Sequence, residues 1–402
     1  TPITVFAKLQ SHFKDELCFL FESAINNNDG NFSFLFIGAR ERVIHQNDSS
    51  HYYDENGSIH ALDENPFTFL KQRYASLDKL KYEMDAKTLG VGFVDGFIGY
   101  IGFDAVKIFE PRLKSHMDKL QDEINIPDID LMRPKLVCTF SHKSNTLTLS
   151  TYMPEIAANF DTIEAVLKEP HFHIPIQKTH IDSTKGSFAF DKKTFFEMVD
   201  QSKEMIRSGD VFQILMSNRF TQYATIDRLS FYRILRQKNP SPYMFYLSYP
   251  QFAIIGSSPE VMVGLKDGRI TLRPIAGTRK RGSTYEKDMA YEEEMLHDEK
   301  ERAEHLMLID LGRNDLGRVA KVGSVNVKEM MRVERYSHVM HMVSDIEATL
   351  DQKHDMFDLF AATFTAGTMT GTPKIRAMEL ISDFEGIKRS FYSGAAGYFG
   401  FD

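Results

Sequence analysis

The sequence predicts an α/β chain, on three observations. Residues 1 to about 165 read as short β-rich runs between turn signals, later stretches carry helical periodicity, and 402 residues supply a core of ordinary depth. Residues 32–37, Phe-Ser-Phe-Leu-Phe-Ile before Gly38, and 135–140, Lys-Leu-Val-Cys-Thr-Phe before Ser141, are the clearest strands of a mixed sheet. Between them, residues 47–57 are polar and turn-rich and read as a surface loop. Gly92, Gly96, Gly99 and Gly102 recur at a spacing that lets aromatic side chains and a neighbouring backbone approach closely. Residues 169–187 carry two Pro, three His and two Lys with no sustained apolar period, and mark a seam between a region 1–168 and a region 188–402. Beyond it, residues 191–208 predict a helix closing at Gly209, and residues 211–220 a strand.

With 48 Lys plus Arg against 56 Asp plus Glu, the formal charge is −8. That balance argues against nucleic acid as a partner, because phosphate binding needs a basic face. Cys18 and Cys138 both sit in apolar surroundings and read as buried thiols in a reducing compartment. There is no basic-then-apolar leader at Thr1-Pro2-Ile3-Thr4 and no run of 18 apolar residues, so the expectation is a soluble, cytoplasmic protein with no membrane partner.

Residues 288–311 predict one long helix with His297, Glu301, His305 and Leu308 on one face. Two imidazoles and a carboxylate so spaced could hold zinc, although charged helices of this kind more often present a solvated face. Glu304 precedes the apolar Leu306-Met307-Leu308-Ile309, where a lone carboxylate is costly unless a cation or hydrogen bonds meet it. A hard cation such as Mg²⁺ would meet that need. Residues 272–282 run as a strand into a Gly-Thr turn with Arg273, Arg279, Lys280 and Arg281 around it, a setting for a small anion or an exposed basic loop. Residues 367–374 open a helix through Ile381, with Thr372 as its N-cap and Pro373 at the first helical position. Such a start can bind a carboxylate or phosphate, and lacks the Gly-Lys-Ser/Thr ending of a nucleotide loop. His341 in its apolar context and Glu260 after Gly256-Ser257-Ser258-Pro259 read, singly, as a core histidine and a turn carboxylate.

Taken in order, these segments resemble the chorismate-utilising enzymes, and within them the anthranilate synthase large-subunit family. The resemblance rests on Ser241-Pro242-Tyr243-Met244-Phe245, Ser258-Pro259-Glu260, Pro274-Ile275-Ala276-Gly277-Thr278-Arg279, Glu304-His305-Leu306-Met307 through Asn314-Asp315, residues 333–341 and 367–378, and Tyr392-Ser393-Gly394-Ala395-Ala396-Gly397-Tyr398-Phe399. Leu20-Phe21-Glu22-Ser23 and the glycine-rich segment ending at Asp104 add a weaker likeness. It implies an α+β sandwich of two packed antiparallel-rich sheets with outer helices and a cleft between them. It also implies that chorismate and ammonia give anthranilate and pyruvate through an aminodeoxyisochorismate intermediate. Mg²⁺ would be the cofactor, with Glu304 as its ligand, and Glu260 would be the acid that protonates the departing ring hydroxyl. His341 would assist the elimination of pyruvate, and Gly277, Thr278, Thr368 and Tyr392 would position substrate.

Two positions separate the branches of the family. Gln213 stands where relatives that add water carry a Lys base; neutral ammonia needs no such base. Ala276 stands where many aminodeoxychorismate synthases carry a Lys that attacks the ring. Neither cysteine lies in a Gly-x-Cys-x-Gly context, so a glutamine amidotransferase subunit is the implied partner and ammonia source, in a hetero-oligomer. The family's tryptophan pocket maps to Glu22, Ser23, Pro242, Tyr243 and Met244, implying feedback inhibition. Absence of Trp from the chain suits an enzyme made during tryptophan shortage. Lys280, Thr370 and Thr372 replace the family's usual Pro, Ser and Ala. Family chains continue past the Gly-Tyr-Phe strand into an Arg-bearing strand, an Ala-Gly-Ala-Gly turn and a helix with a second metal carboxylate, whereas this sequence ends at Asp402. The alternatives are therefore the folate-branch aminodeoxychorismate synthase or a non-catalytic tryptophan-binding fragment.

Overall fold

The computed structural model describes residues 1–23, 32–170, 174–336 and 338–401. Part of the 169–187 seam, Ser337 in the His341 motif and Asp402 lie outside the described residues.

The apolar run at 32–37 becomes the start of strand Phe32–Gln46, the spine of an antiparallel sheet of ten strands among the described residues. Side chains alternate across a strand, so the four successive apolar residues Phe34-Leu35-Phe36-Ile37 need a core on each face. Phe34 and Phe36 enter a cluster with Phe19, Phe93, Met132 and Leu247, whereas Leu35 and Ile37 enter one with Phe6, Leu9, Ile163 and Tyr232. The main path of the sheet runs Ala253–Ser258, Tyr243–Ser248, Cys18–Glu22, Phe32–Gln46, Ile129–Ser141, Gly96–Ile101 and Ala395–Gly400. Three of these strands come from beyond residue 188, so the two regions expected from sequence share one sheet. Both thiols are buried in it, and burial pushes Cys18 up to about 12.

Close approach explains Gly96, Gly99 and Gly102 but not Gly92, where an added side chain would meet only ordinary contacts. A side chain at Gly99 would meet the Asp130 carbonyl at 2.0 Å, so the strand Gly96–Ile101 lies against its neighbour only because that position is bare.

A second antiparallel sheet holds Gly264–Lys266, Arg269–Leu272, Val339–Thr349, Ile275–Lys280 and Asn326–Arg335. The helix Met356–Thr363 lies at the seam of the two sheets. Its Phe357 and Phe360 pack with Phe97, Ile101 and Leu131 of the first, and its Leu359 and Ala362 with Ile270 and Ile346 of the second.

Several local expectations are revised. Residues 47–57 contain the strand Ser49–Tyr53, turned back on Phe32–Gln46 by Asn47 and Asp48 in the left-handed region. The seam includes most of strand His180–Phe188, which pairs with Phe220–Thr225. The strand expected over 211–220 is limited to Gln213–Ile214. The helix expected over 288–311 is two helices, Tyr285–His297 and Glu299–Gly317. Asp298 divides them because its carboxylate accepts from the backbone N–H of Lys300 at 3.0 Å and of Glu301 at 3.1 Å, starting a new helix. Residues 192–207, by contrast, form the expected helix, capped by Asp191 and followed by Gly209 at φ 82°.

Candidate active site

Three hydrogen-bonded pairs of sequence-predicted residues each have a member on the helix Glu299–Gly317 or on an element that packs against it. The first is Glu260 with Thr368. Glu260 follows strand Ala253–Ser258 in a tight turn, where the Ser258 hydroxyl donates to the Glu260 carbonyl at 3.0 Å. Its Oε2 accepts from the Thr368 hydroxyl at 3.4 Å. Burial pushes the Glu260 carboxyl up to about 7, against the opposing pull of Thr368. A carboxyl so placed is part protonated at neutral pH and can give up a proton there.

The second pair is His341 with Thr278, on the facing strands Val339–Thr349 and Ile275–Lys280. The His341 Nδ1 lies 3.0 Å from the Thr278 hydroxyl and 3.3 Å from the Gly277 carbonyl. A carbonyl only accepts, so Nδ1 carries the hydrogen and Nε2 keeps its lone pair. Burial lowers the imidazole's pKa, although the Gly277 bond and the Glu334 charge oppose that, so the ring is a neutral base at neutral pH. Gly277 makes this possible: it sits at φ 70° in a bulge between Ala276 and Thr278, turning its carbonyl to the ring.

The third pair is Gln213 with Glu304. The two-residue strand Gln213–Ile214 pairs with Gly371–Thr372, and the Gln213 Nε2 donates to Glu304 Oε1 at 3.3 Å. The other amide atom, Gln213 Oε1, is buried with no hydrogen-bond partner. Thr372 is therefore used by its backbone, accepting from Phe212 N–H at 2.7 Å, and is not the N-cap expected of it. A residue before proline is held extended, which suits pairing and not capping.

Tyr392 stands apart from these pairs. It lines a cavity of about 190 Å³ with Phe190, Asn218, Arg219, Lys388 and Phe391, a cavity that Glu260, Glu304 and His341 do not line. Of the residues expected to form a tryptophan pocket, Glu22 on strand Cys18–Glu22 pairs in register with Met244, which follows Pro242 and Tyr243. The Glu22 carboxylate accepts from Arg236 at 2.8 and 2.9 Å and from the Tyr232 hydroxyl at 3.0 Å, while Met244 is buried in the adjoining core. Ser23 follows the end of this strand.

The cationic turn is not an open anion site. Arg279 bonds Glu294, Asp298 and Glu301, Arg281 bonds Asp288, and Arg273 bonds Asp345. Lys374 at the helix opening is likewise held by Asp315 at 2.7 Å and the Thr363 carbonyl at 3.1 Å. Sequence showed the cations but not their partners, which come from other elements. The zinc geometry also fails: His297 is exposed on the first of the two helices and bonds the Glu293 carbonyl, whereas His305 is buried on the second and bonds Ser344.

The family model described as a chorismate binding enzyme matches residues 16–402, and the chain belongs to that family. Anthranilate synthase component 1 of Aquifex aeolicus is 39% identical over 416 residues, covering 100% of this chain and 81% of that protein. Aminodeoxychorismate synthase component 1 of Bacillus subtilis is 40% identical over 318 residues, covering 77% of this chain and 66% of its own. Among solved structures, anthranilate synthase component I from Streptococcus pneumoniae TIGR4 matches with a TM-score of 0.76 at 30% identity, over 94% of this chain and 82% of that one. The expected α+β architecture of antiparallel sheets and helices is thus the one found. No helix among the described residues is long and apolar enough to cross a membrane.

Proposed function

We propose that the chain is the large subunit of an anthranilate synthase, taking chorismate and ammonia to anthranilate and pyruvate. The observation that carries this reading is Gln213: a neutral amide, bonded to Glu304, occupies the place where a water-adding relative would need a base. Ammonia is already a nucleophile and needs none. Ala276 at the strand Ile275–Lys280 likewise offers no side-chain amine to the ring, which favours this branch over the aminodeoxychorismate one. Glu260 would hand its proton to the leaving ring hydroxyl, and His341 Nε2 would take the ring proton as pyruvate departs. Thr278 and Gly277 would orient the imidazole for that step, Thr368 would orient the acid, and Tyr392 would position substrate.

Mg²⁺ is the cofactor this reading calls for, and Glu304 is the one side chain this reading assigns to it. Glu304 is half-buried and bonded by Gln213 only weakly, leaving carboxylate oxygen for a hard cation that takes one or two carboxylates plus substrate oxygens. Bound there, the ion would supply positive charge to the substrate's ring carboxylate. Ammonia would come from a glutaminase partner, since burial keeps both thiols of this chain protonated. Tryptophan would act at the Glu22, Ser23, Pro242, Tyr243 and Met244 cluster, and the protein would be cytoplasmic.

Incubation with chorismate, ammonium and Mg²⁺ should yield blue-fluorescent anthranilate; 4-amino-4-deoxychorismate instead would move the chain to the folate branch. Glu304→Gln should remove Mg²⁺ dependence together with activity, and near-normal turnover refutes its role as ligand. His341→Ala should spare ring amination more than pyruvate release, so the aminated intermediate accumulates in the quenched reaction. Equal loss of both steps counts against the base assignment.

A further inference from the structure

The Arg389 guanidinium is 5% exposed, and its hydrogen bonds reach three separate stretches of chain. Nε and Nη2 donate to the two oxygens of Glu385 at 2.9 and 2.7 Å, anchoring the group on the helix Lys374–Glu385. Nη2 also donates to the Leu215 carbonyl at 2.6 Å, two residues after Gln213. Nη1 donates to the Met369 carbonyl at 2.9 Å, next to Thr368, and to the Ser393 hydroxyl at 3.5 Å, next to Tyr392. That accounts for all five donors of an arginine side chain. Glu385 repeats the pattern by accepting from the Ser217 N–H at 2.8 Å. The guanidinium lies between two rings, 5.0 Å from Phe103 and 5.8 Å from Tyr392.

We infer that Arg389, anchored by Glu385, is a positioning residue that holds the Gln213, Thr368 and Tyr392 segments in the register the reaction needs. The inference rests on the proposed function for what that reaction is, but not for the joint itself. Each segment is short or irregular and has little regular structure of its own: two residues of strand at Gln213–Ile214, a single helical turn at Gly367–Met369, and a loop with Ser390 and Ser393 in the left-handed region. A rigid planar fork can tie all three at once. A lysine ammonium, a point donor on a flexible stem, can keep the charge beside Glu385 but cannot span two carbonyls in different directions.

The test is Arg389→Lys beside Arg133→Lys, a control in a different buried ion-pair network. Assayed well below the melting temperature of either, Arg389→Lys should lower kcat for chorismate by about 10- to 100-fold, as expected of a small misplacement of reacting groups. Arg133→Lys should stay within about twofold of wild type while melting earlier. Hydrogen exchange provides a readout independent of activity: the amides of Leu215, Thr370 and Tyr392, each bonded within these segments, should lose protection together in Arg389→Lys and not in the control. Unchanged protection at the three amides, or a kcat no lower than the control's, overturns the inference. A wild-type chain that consumes no chorismate would sink the proposed function and leave the exchange result to decide the joint alone.

Discussion

Glu260→Gln is expected to lower chorismate turnover by about 10²- to 10⁴-fold, the usual worth of a positioned acid. Glutamine keeps the size of the side chain and can still accept from Thr368, but it has no proton to give to the leaving hydroxyl. In the wild type, kcat should fall as pH rises through about 7, where the buried carboxyl ionises. Stability should move the opposite way on substitution. A carboxyl whose folded pKa lies above its ordinary 4.5 binds more protons folded than unfolded between those values, so its contribution is lost as pH rises from 4.5 to about 7. Above that window Glu260→Gln should unfold later than wild type, by up to about 3 kcal/mol. A variant that is inactive and no more stable at pH 8 would contradict the burial argument, and one that keeps near-normal kcat would remove Glu260 from the acid role.

Arg133→Met is expected to cost about 3 to 5 kcal/mol of folding stability, read from urea midpoints at pH 7. Arg133 is 3% exposed and bonds Glu41 at 2.6 Å, Asp95 at 2.7 Å and the Tyr82 hydroxyl at 2.8 Å, with both carboxylates 1% exposed. Methionine would fill much of the space but leave Arg40 as the one cationic partner of Asp95 and Arg73 as that of Glu41 among the described residues. Burial alone would raise the Glu41 carboxyl, yet Arg73 and Arg133 overcome it and hold the group down to about 2. Stability from such a depressed carboxylate is present above its unfolded value of 4.5 and lost as pH falls toward 2, so wild type and variant should converge on acidification. A difference under about 1 kcal/mol at pH 7 would show that the network is neutral to replacement, as some buried ion pairs are.

Patterns confined to one segment were legible before the fold was known. The helix Lys192–Arg207 with Asp191 before it and Gly209 after it, the strand beginning at 32–37, and the close approach at Gly96, Gly99 and Gly102 were all readable from neighbouring residues. Asp298 was also readable in principle, since an Asp three residues before Glu301 signals a helix start, but the surrounding helical periodicity masked it. Thr372 misled because Ser and Thr before Pro look like a cap, while its backbone had a strand partner more than 150 residues away.

What the sequence by itself determined about this protein is the kind of chemistry: which acid, imidazole, amide and glycine turn are present, and the family whose order of motifs they share. Only the tertiary structure decided how those groups behave. The raised pKa of Glu260, the neutral Nδ1-protonated form of His341 and the neutralisation of the Arg273, Arg279 and Arg281 cluster each depend on burial or on a partner from another element. The same holds for the joint at Arg389. Desolvation and hydrogen bonding act over a few ångströms of space, and chain order sets those distances only through the fold.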